Sequence, residues 1–235
     1  MKIIIAPAKT LNLNSSCVLP QTERLYTKTT DSIINHLSKY SKSLVSKRLK
    51  VKGDLLENTY NYIQTFNSSK ALQAITTYNG FVYKKLDINN YSLHELDYLN
   101  GHLIILDALY GMLRPSDMIM PYRLDFTMPI KLDLYNKWRN LKIDDDLIIN
   151  LASNEFSKLI KQPMITITFK EERDGKFKLI NTYSKMARGA FLHYCIKNQI
   201  KMCEDLKNFS KEGYTFNETL SNASNYIFTR NQQIG

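Results

Sequence analysis

Three short apolar runs limit the folds that this chain can adopt. They cover residues 2–6, 103–106 and 147–151, and all are dominated by Ile and Leu. Continuous apolar runs of this length are typical of strands buried on both faces, as in sheets that helices cover. Helical patterns lie between the runs. The sequence therefore predicts the α/β class, as a single domain over residues 1–235 with a mixed sheet and flanking helices.

Local patterns predict the remaining elements. Ser92 and Glu95 form a capping box for a helix over 93–100 that Gly101 closes. A Gly-containing turn at 173–176 predicts a hairpin of strands over 165–171 and 177–182. The other expected elements are helices over 21–38, 70–75 and 134–140, a helix from about 183 to 199, and strands over 213–216 and 226–229.

Bulk properties indicate an ordinary globular protein. Apolar residues make up 43% of the 235, and no run approaches the ~18 residues of a membrane span. The apolar start is too short for a signal peptide and stops at Pro7. Three cysteines form an odd and sparse set, which favours a reducing compartment. We therefore expect a cytoplasmic monomer without membrane contact.

Cofactor and metal motifs are not found in the sequence. His193, Cys195 and Cys203 match no usual zinc spacing, and a fourth ligand is lacking. Three of the four histidines lie in or beside predicted helices without an evident carboxylate or nucleophile partner, so a His-based mechanism has poor support. The chain contains neither a phosphate-binding loop nor a dinucleotide fingerprint. The sequence predicts no metal and no cofactor.

Positive charge is concentrated near the N-terminus. Residues 1–53 hold ten Lys and Arg against two acids, which is +8 of the chain's formal +10. The pattern around them predicts a helix with Ser43 as a candidate N-cap, a turn at Gly53, and a second helix. Such a helix–turn–helix pair can present backbone amides to a phosphate, as in a helix-hairpin-helix element over about 43–66. A solvated basic surface remains the alternative.

A second group of polar residues lies at predicted strand ends and turns. Cations favour an anionic ligand, phosphate above all, and Glu155 and Tyr183 are candidates for proton transfer. The alternative is structural: the arginines would pair with Asp107, Asp125 or Glu155. The cleft candidates are Lys9, Thr10, Tyr83, Arg114, Arg123, Lys185 and Arg188.

Eight ordered motifs extend over most of the chain. They are P-A-K-T-L (7–11), N-G-x-V-Y (79–83), L-Y-G-x-L-R-P-x-D (109–117), P-Y-R-L-D (121–125), I-N-L-A-S-N-E (149–155), D-G-K-F-K (174–178), Y-S-K-x-A-R-G (183–189) and G-Y-x-F (213–216). Together they resemble the YaaA family of bacterial peroxide-stress-resistance proteins. The resemblance implies an α/β domain with a positively charged cleft and a helix-hairpin-helix element. It also implies binding of double-stranded or branched DNA, and protection against iron-dependent oxidative damage.

Two main hypotheses follow. The first is a DNA-binding protein of the hydrogen peroxide response, with sequence-independent phosphate contacts from Lys47, Arg48, Lys50, Lys52 and the turn at Gly53. The second is an enzyme that acts on a nucleotide or modified nucleobase in the cationic cleft. In this case the partner could be a small phosphate-bearing ligand. Direct iron binding is a third hypothesis, which the three Cys and four His support little. The resemblance supplies no reaction for the cleft residues.

Overall fold

The computed structural model describes residues 1–231, and an eight-stranded mixed sheet forms its centre. In space the strands run β4-β3-β1-β6-β7-β10-β9, and β8 pairs with β7. The strands of this sheet are β1 (Lys2–Ile5), β3 (Leu103–Asp107), β4 (Gly111–Leu113), β6 (Ile148–Asn150), β7 (Ile165–Arg173), β8 (Lys176–Lys178), β9 (Thr215–Phe216) and β10 (Asn225–Arg230). The predicted mixed sheet is confirmed.

Parallel pairing joins the inner strands, and antiparallel pairing joins the outer ones. β1 is parallel to β3 and β6, while β7 is parallel to β6 and β10. β4, β8 and β9 add antiparallel partners. The side chains of Ile3, Ile4 and Ile5 are completely buried, as expected for a strand covered on both faces. The three apolar runs thus form adjacent strands in the middle of the sheet.

Helices surround the sheet. α5 packs against β1 and α8, and α8 packs against β7. Between residues 1 and 231 no helix is long and apolar enough to cross a membrane. The helices are α1 (Thr27–Leu37), α2 (Lys42–Leu49), α3 (Asp54–Gln64), α4 (Ala74–Thr77), α5 (Leu93–His102), α6 (Leu134–Lys137), α7 (Asn154–Ser157) and α8 (Asn181–Lys197).

Two expected helices were placed wrongly at their starts. The segment predicted as helix over 21–38 forms a helix only from Thr27, because Thr22 forms a parallel bridge with Asp117. The segment 70–75 begins as strand β2 (Leu72–Gln73), which pairs with β5 (Met118–Ile119). The Gln73 side chain accepts from the amides of Val18 and Leu19, and these bonds hold β2 extended.

Helix ends also differ from the expected positions. The capping box of Ser92 and Glu95 is confirmed, but Gly101 lies inside α5, which ends at His102. Ser41, and not Ser43, caps α2, since its hydroxyl accepts from the Leu44 amide at 3.3 Å. α6 ends at 137, three residues short of the predicted end. The strand expected over 177–182 ends at 178, since α8 begins at Asn181.

Candidate functional site

The carboxyl ends of β1 and β6 lie side by side in the sheet, and we call the switch point beyond them the crevice. These strands are parallel neighbours. The chain leaves β1 for β3 on one side and leaves β6 for β7 on the other. Ligands of open α/β sheets bind at such a switch in strand order. The segments that follow these two strands carry Lys9 and Glu155.

Lys9 and Asp125 form an ion pair at this crevice. The ammonium Nζ lies 2.6 Å from Asp125 Oδ2, with the Lys9 side chain 64% exposed and that of Asp125 9% exposed. Arg123 reaches the same loop, because its Nη1 donates to the Lys9 carbonyl at 3.5 Å. The Arg123 Nε atom is buried without a hydrogen-bond partner within residues 1–231. Asp125 is therefore a buried carboxylate whose partner is a largely exposed cation.

Glu155 lies in the first turn of α7, beside this ion pair. Its Oε1 atom is buried and has no hydrogen-bond partner among residues 1–231. Burial and the negative charge of Asp125 raise the pKa of Glu155, whereas Lys9 and the amides of Phe126 and Thr127 act in the opposite direction. Two neighbouring carboxyl groups thus differ in environment, one paired with a cation and one partly desolvated.

Aromatic side chains connect the two segments that carry the carboxylates. The Phe126 ring stacks on Tyr135 with centroids 4.6 Å apart and meets Phe156 edge to face at 5.4 Å. The Tyr135 hydroxyl donates to the Glu155 carbonyl at 2.9 Å. Because Phe126 follows Asp125 and Phe156 follows Glu155, this contact limits the relative motion of the carboxylates.

The loop that carries Lys9 is held by the segment 77–83. The Asn79 amide donates to the Thr10 carbonyl, and the Tyr83 hydroxyl donates to the Ala6 carbonyl, both at 2.9 Å. A Cβ on Gly80 would lie 2.9 Å from Ala8 Cβ. Only glycine permits this approach without displacement. The predicted cleft residue Tyr83 therefore positions the β1 loop through its hydroxyl.

A buried carboxylate, Asp107, anchors the loop that carries Arg123 and Asp125. Asp107 is completely buried, and it accepts from the hydroxyls of Tyr78 and Tyr122. The amides of Leu109 and Tyr110 add two more hydrogen bonds. Burial raises the pKa of Asp107, and these hydrogen bonds oppose that rise. Tyr122 thus connects the 121–125 loop to the end of β3.

The remaining predicted cleft residues have other contacts or positions on α8. Arg114 binds Asp117 at 2.7 Å and the Glu23 carbonyl at 2.6 Å, so it has a structural partner that the sequence did not indicate. α8 begins four residues before Lys185, and the amides of Lys185 and Arg188 consequently lie inside the helix. Burial lowers the pKa of Arg188, whose Nε has no hydrogen-bond partner in the described part of the chain. Tyr183 lies under the Arg230 guanidinium, 5.0 Å from its ring centroid. Among residues 1–231, no hydrogen bond joins Tyr183 to Glu155.

The basic helix pair consists of α2, α3 and the turn between them. Lys50 and Gly53 adopt φ of 55° and 56°, so the chain reverses through two left-handed residues. Lys47, Lys50 and Lys52 are exposed. They form no ion pair within residues 1–231, whereas Arg48 donates to the Pro129 carbonyl at 3.1 Å. Three cations around this turn are therefore available to a partner.

Sequence comparison identifies the family. The profile described as Peroxide stress protein YaaA matches residues 1–220. The chain belongs to the YaaA peroxide stress protein family. A UPF0246 protein of Fusobacterium nucleatum is 42% identical, with 98% of this chain and 99% of that protein covered. UPF0246 proteins of Clostridium beijerinckii and Crocosphaera subtropica are 35% and 32% identical, and 98% of this chain is covered in both cases.

In this YaaA family member the sequence motifs meet at the crevice. The 7–11, 121–125 and 149–155 motifs supply Lys9, Arg123, Asp125 and Glu155. From the sequence, Asp125 was expected only to accompany the cleft cations or to pair with a structural arginine. The signal for its role was its position two residues after Arg123 in the same motif, but only the fold shows that its partner is Lys9.

Possible metal ligands are dispersed in the same structure. Among residues 1–231 no three His, Cys, Asp or Glu side chains gather in a way that could hold a metal ion. His193 Nδ1 lies 2.8 Å from the Tyr91 hydroxyl. Cys195 is buried, and burial raises the pKa of its thiol. The contacts of His193 and Cys195 are thus those of packed side chains.

Proposed function

We propose that this YaaA family member contacts DNA through α2, α3 and the turn between them, as a helix-hairpin-helix element. The observation that carries the proposal is the set of three exposed lysines, Lys47, Lys50 and Lys52, none with an acidic partner within residues 1–231. Lysines bind phosphates as point charges and neutralise them without reading base edges. Binding is therefore independent of sequence.

The turn adds backbone donors to these cations. The amides of Asp54 and Leu55, in the first turn of α3, have no acceptor among residues 1–231. A phosphate oxygen is a suitable acceptor at a helix N-terminus, where the helix dipole also favours negative charge. Arg48 already donates to the Pro129 carbonyl, so in this proposal it contributes charge more than a new hydrogen bond.

The binding test uses Lys50→Ala combined with Lys52→Ala. Fluorescence anisotropy with unrelated duplexes and a branched junction should show the same fold loss of affinity for every DNA. Lys161→Ala is the matched control, since Lys161 is also exposed and lies outside the helix pair. Unchanged affinity in the double variant, or an equal loss in the control, would refute the assignment.

Family membership supports a role in the peroxide response. We propose that within this response the protein limits iron-dependent oxidative damage to DNA and proteins. Survival in hydrogen peroxide of a deletion strain that carries the Lys50→Ala, Lys52→Ala protein tests whether DNA contact serves this role. The proposal expects survival close to that of the deletion, and full rescue would separate protection from DNA contact.

A second function, an enzyme, is favoured by one observation at the crevice. Glu155 Oε1 is buried and has no hydrogen-bond partner within residues 1–231, although Glu155 lies beside the Lys9–Asp125 ion pair. An unsatisfied buried carboxyl oxygen costs folding free energy and is expected where a ligand group supplies the partner. We propose a phosphate-bearing nucleotide or a modified nucleobase as the ligand, with Lys9 and Arg123 for its charge.

Thermal denaturation with a panel of nucleotides and nucleobases tests the enzyme proposal. At least one member should raise the melting temperature of the protein, and Glu155→Gln should change that shift. Absence of any shift, together with full peroxide protection by the Glu155→Gln protein, would reject a ligand site at the crevice.

A further inference from the structure

We propose that Lys9, Asp125 and Glu155 form a site that hydrolyses the N-glycosidic bond between a nucleobase and its sugar. Glu155 is the general acid, Asp125 is the carboxylate that stabilises the sugar cation, and Lys9 is a positioning residue. This inference rests on the second candidate function and adds the type of bond that is cleaved.

The two carboxyl groups have environments that suit different roles. Lys9 Nζ is 2.6 Å from Asp125 Oδ2, so the Asp125 carboxylate is paired with a cation. Glu155 has a buried oxygen without a hydrogen-bond donor within residues 1–231, and burial together with the charge of Asp125 raises its pKa. Two neighbouring carboxyl groups in such different environments can divide the roles of acid and charge stabiliser in one site.

The charges at the crevice suit cleavage of a glycosidic bond better than transfer of a phosphoryl group. Glycosidic bonds break through a transition state with positive charge on the sugar, and two carboxyl groups flank the bond in most glycoside hydrolases. Phosphoryl transfer places negative charge at the reacting centre, where Asp125 would repel it. Arg123, whose Nε lacks a partner, is suited to a phosphate at the edge of the same site.

The reaction is balanced with water as the only co-reactant. Glu155 donates its proton to the departing base nitrogen while the C1′–N bond breaks, and the bond's electron pair leaves with the base. The Asp125 carboxylate stabilises the resulting positive charge on the sugar. Water then adds through its oxygen to C1′, and the proton that it loses returns to Glu155. The products are the free base and a sugar with a hydroxyl at C1′.

The test measures base release from defined substrates by the full chain. The probes are purine and pyrimidine nucleoside 5′-phosphates, and duplexes that contain one uracil or one 8-oxoguanine. Chromatography detects the free base, and a reducing-sugar assay detects the new hydroxyl at C1′. We expect release from at least one probe, with at least a 100-fold loss in Glu155→Gln and in Asp125→Asn and none in Lys161→Ala.

The results distinguish failure of the glycosidic assignment from failure of the second candidate function. Release from the mononucleotides assigns a free nucleotide as the substrate, and release only from duplexes assigns DNA. If nucleotides raise the melting temperature but no base is released, the glycosidic assignment is overturned while the second candidate function stands. If neither occurs, both are overturned. Release that persists in folded Glu155→Gln protein, checked by its melting temperature, also contradicts the assigned acid.

Discussion

Phe126 and Phe156 meet edge to face with ring centroids 5.4 Å apart, and each ring directly follows a carboxylate of the crevice. Such a contact contributes about 0.5–1.5 kcal/mol beyond area burial. We expect a double-mutant cycle of Phe126→Leu and Phe156→Leu, followed by urea denaturation, to give a coupling free energy of that size. Additive effects of the two substitutions would show that the rings do not connect the segments.

The pKa of Glu155 should respond in opposite directions to its two charged neighbours. Asp125→Asn removes a negative charge and should lower the pKa of Glu155, whereas Lys9→Met removes a positive charge and should raise it. Carbon-detected NMR of the Glu155 carboxyl group through a pH titration measures both shifts. Shifts of the same sign, or no shift, would contradict the proposed proximity.

The raised pKa of Glu155 also predicts how stability depends on pH. A group with a higher pKa in the folded state binds more protons there than in the unfolded chain. Its stabilising contribution is complete below the ordinary Glu pKa of 4.5 and is lost as pH rises through the folded value. Glu155→Gln should therefore flatten the decline in unfolding free energy above pH 4.5, as urea denaturation at several pH values would show.

Alanine substitutions at Gly80 and Gly101 should change the free energy of unfolding in opposite directions. Gly80→Ala places a Cβ 2.9 Å from Ala8 Cβ, and overpacking of this kind costs about 1–3 kcal/mol. Gly101→Ala meets nothing within 4 Å inside α5 and should stabilise by up to ~1 kcal/mol. Urea denaturation measures both. A neutral Gly80→Ala variant would show that the β1 loop moves freely.

Removal of the negative charge at the start of α3 should strengthen the binding of DNA. The Asp54 carboxylate is exposed beside the amides proposed to receive a phosphate, so it repels that phosphate. Asp54→Asn should strengthen DNA binding several-fold at low salt. Asp97→Asn on α5 removes the same charge from another exposed position and is the control. Equal gains in both variants would indicate net charge alone.

The sequence predicted the centre of the fold well and its ion pairs poorly. The runs at 2–6, 103–106 and 147–151 became β1, β3 and β6 because their apolar side chains can be buried only between layers. The partners in ion pairs were harder to predict. Arg114 binds Asp117, three residues away, and Lys9 binds Asp125, more than a hundred residues away. Sequence spacing does not encode the second contact, since the fold alone brings those loops together.

The segment around Gln73 shows that tertiary contacts also limit the prediction of secondary structure. Its composition favoured a helix over 70–75, yet Gln73 is buried and its amide bonds to the backbone of Val18 and Leu19. Those tertiary hydrogen bonds require the extended strand β2 and override local propensity. At the crevice, the sequence identified Lys9, Arg123 and Glu155, but the different environments of Asp125 and Glu155 depend on burial and pairing that only the fold creates.

The most direct test of DNA contact by the helix pair is the salt dependence of affinity. Each phosphate that a lysine neutralises contributes about 0.9 to the slope of log affinity against log salt concentration. The slope for the double variant Lys50→Ala, Lys52→Ala should be shallower than that for wild-type protein by about 1.8, while Lys161→Ala should keep the wild-type slope. A double variant with the wild-type slope and affinity would contradict the account.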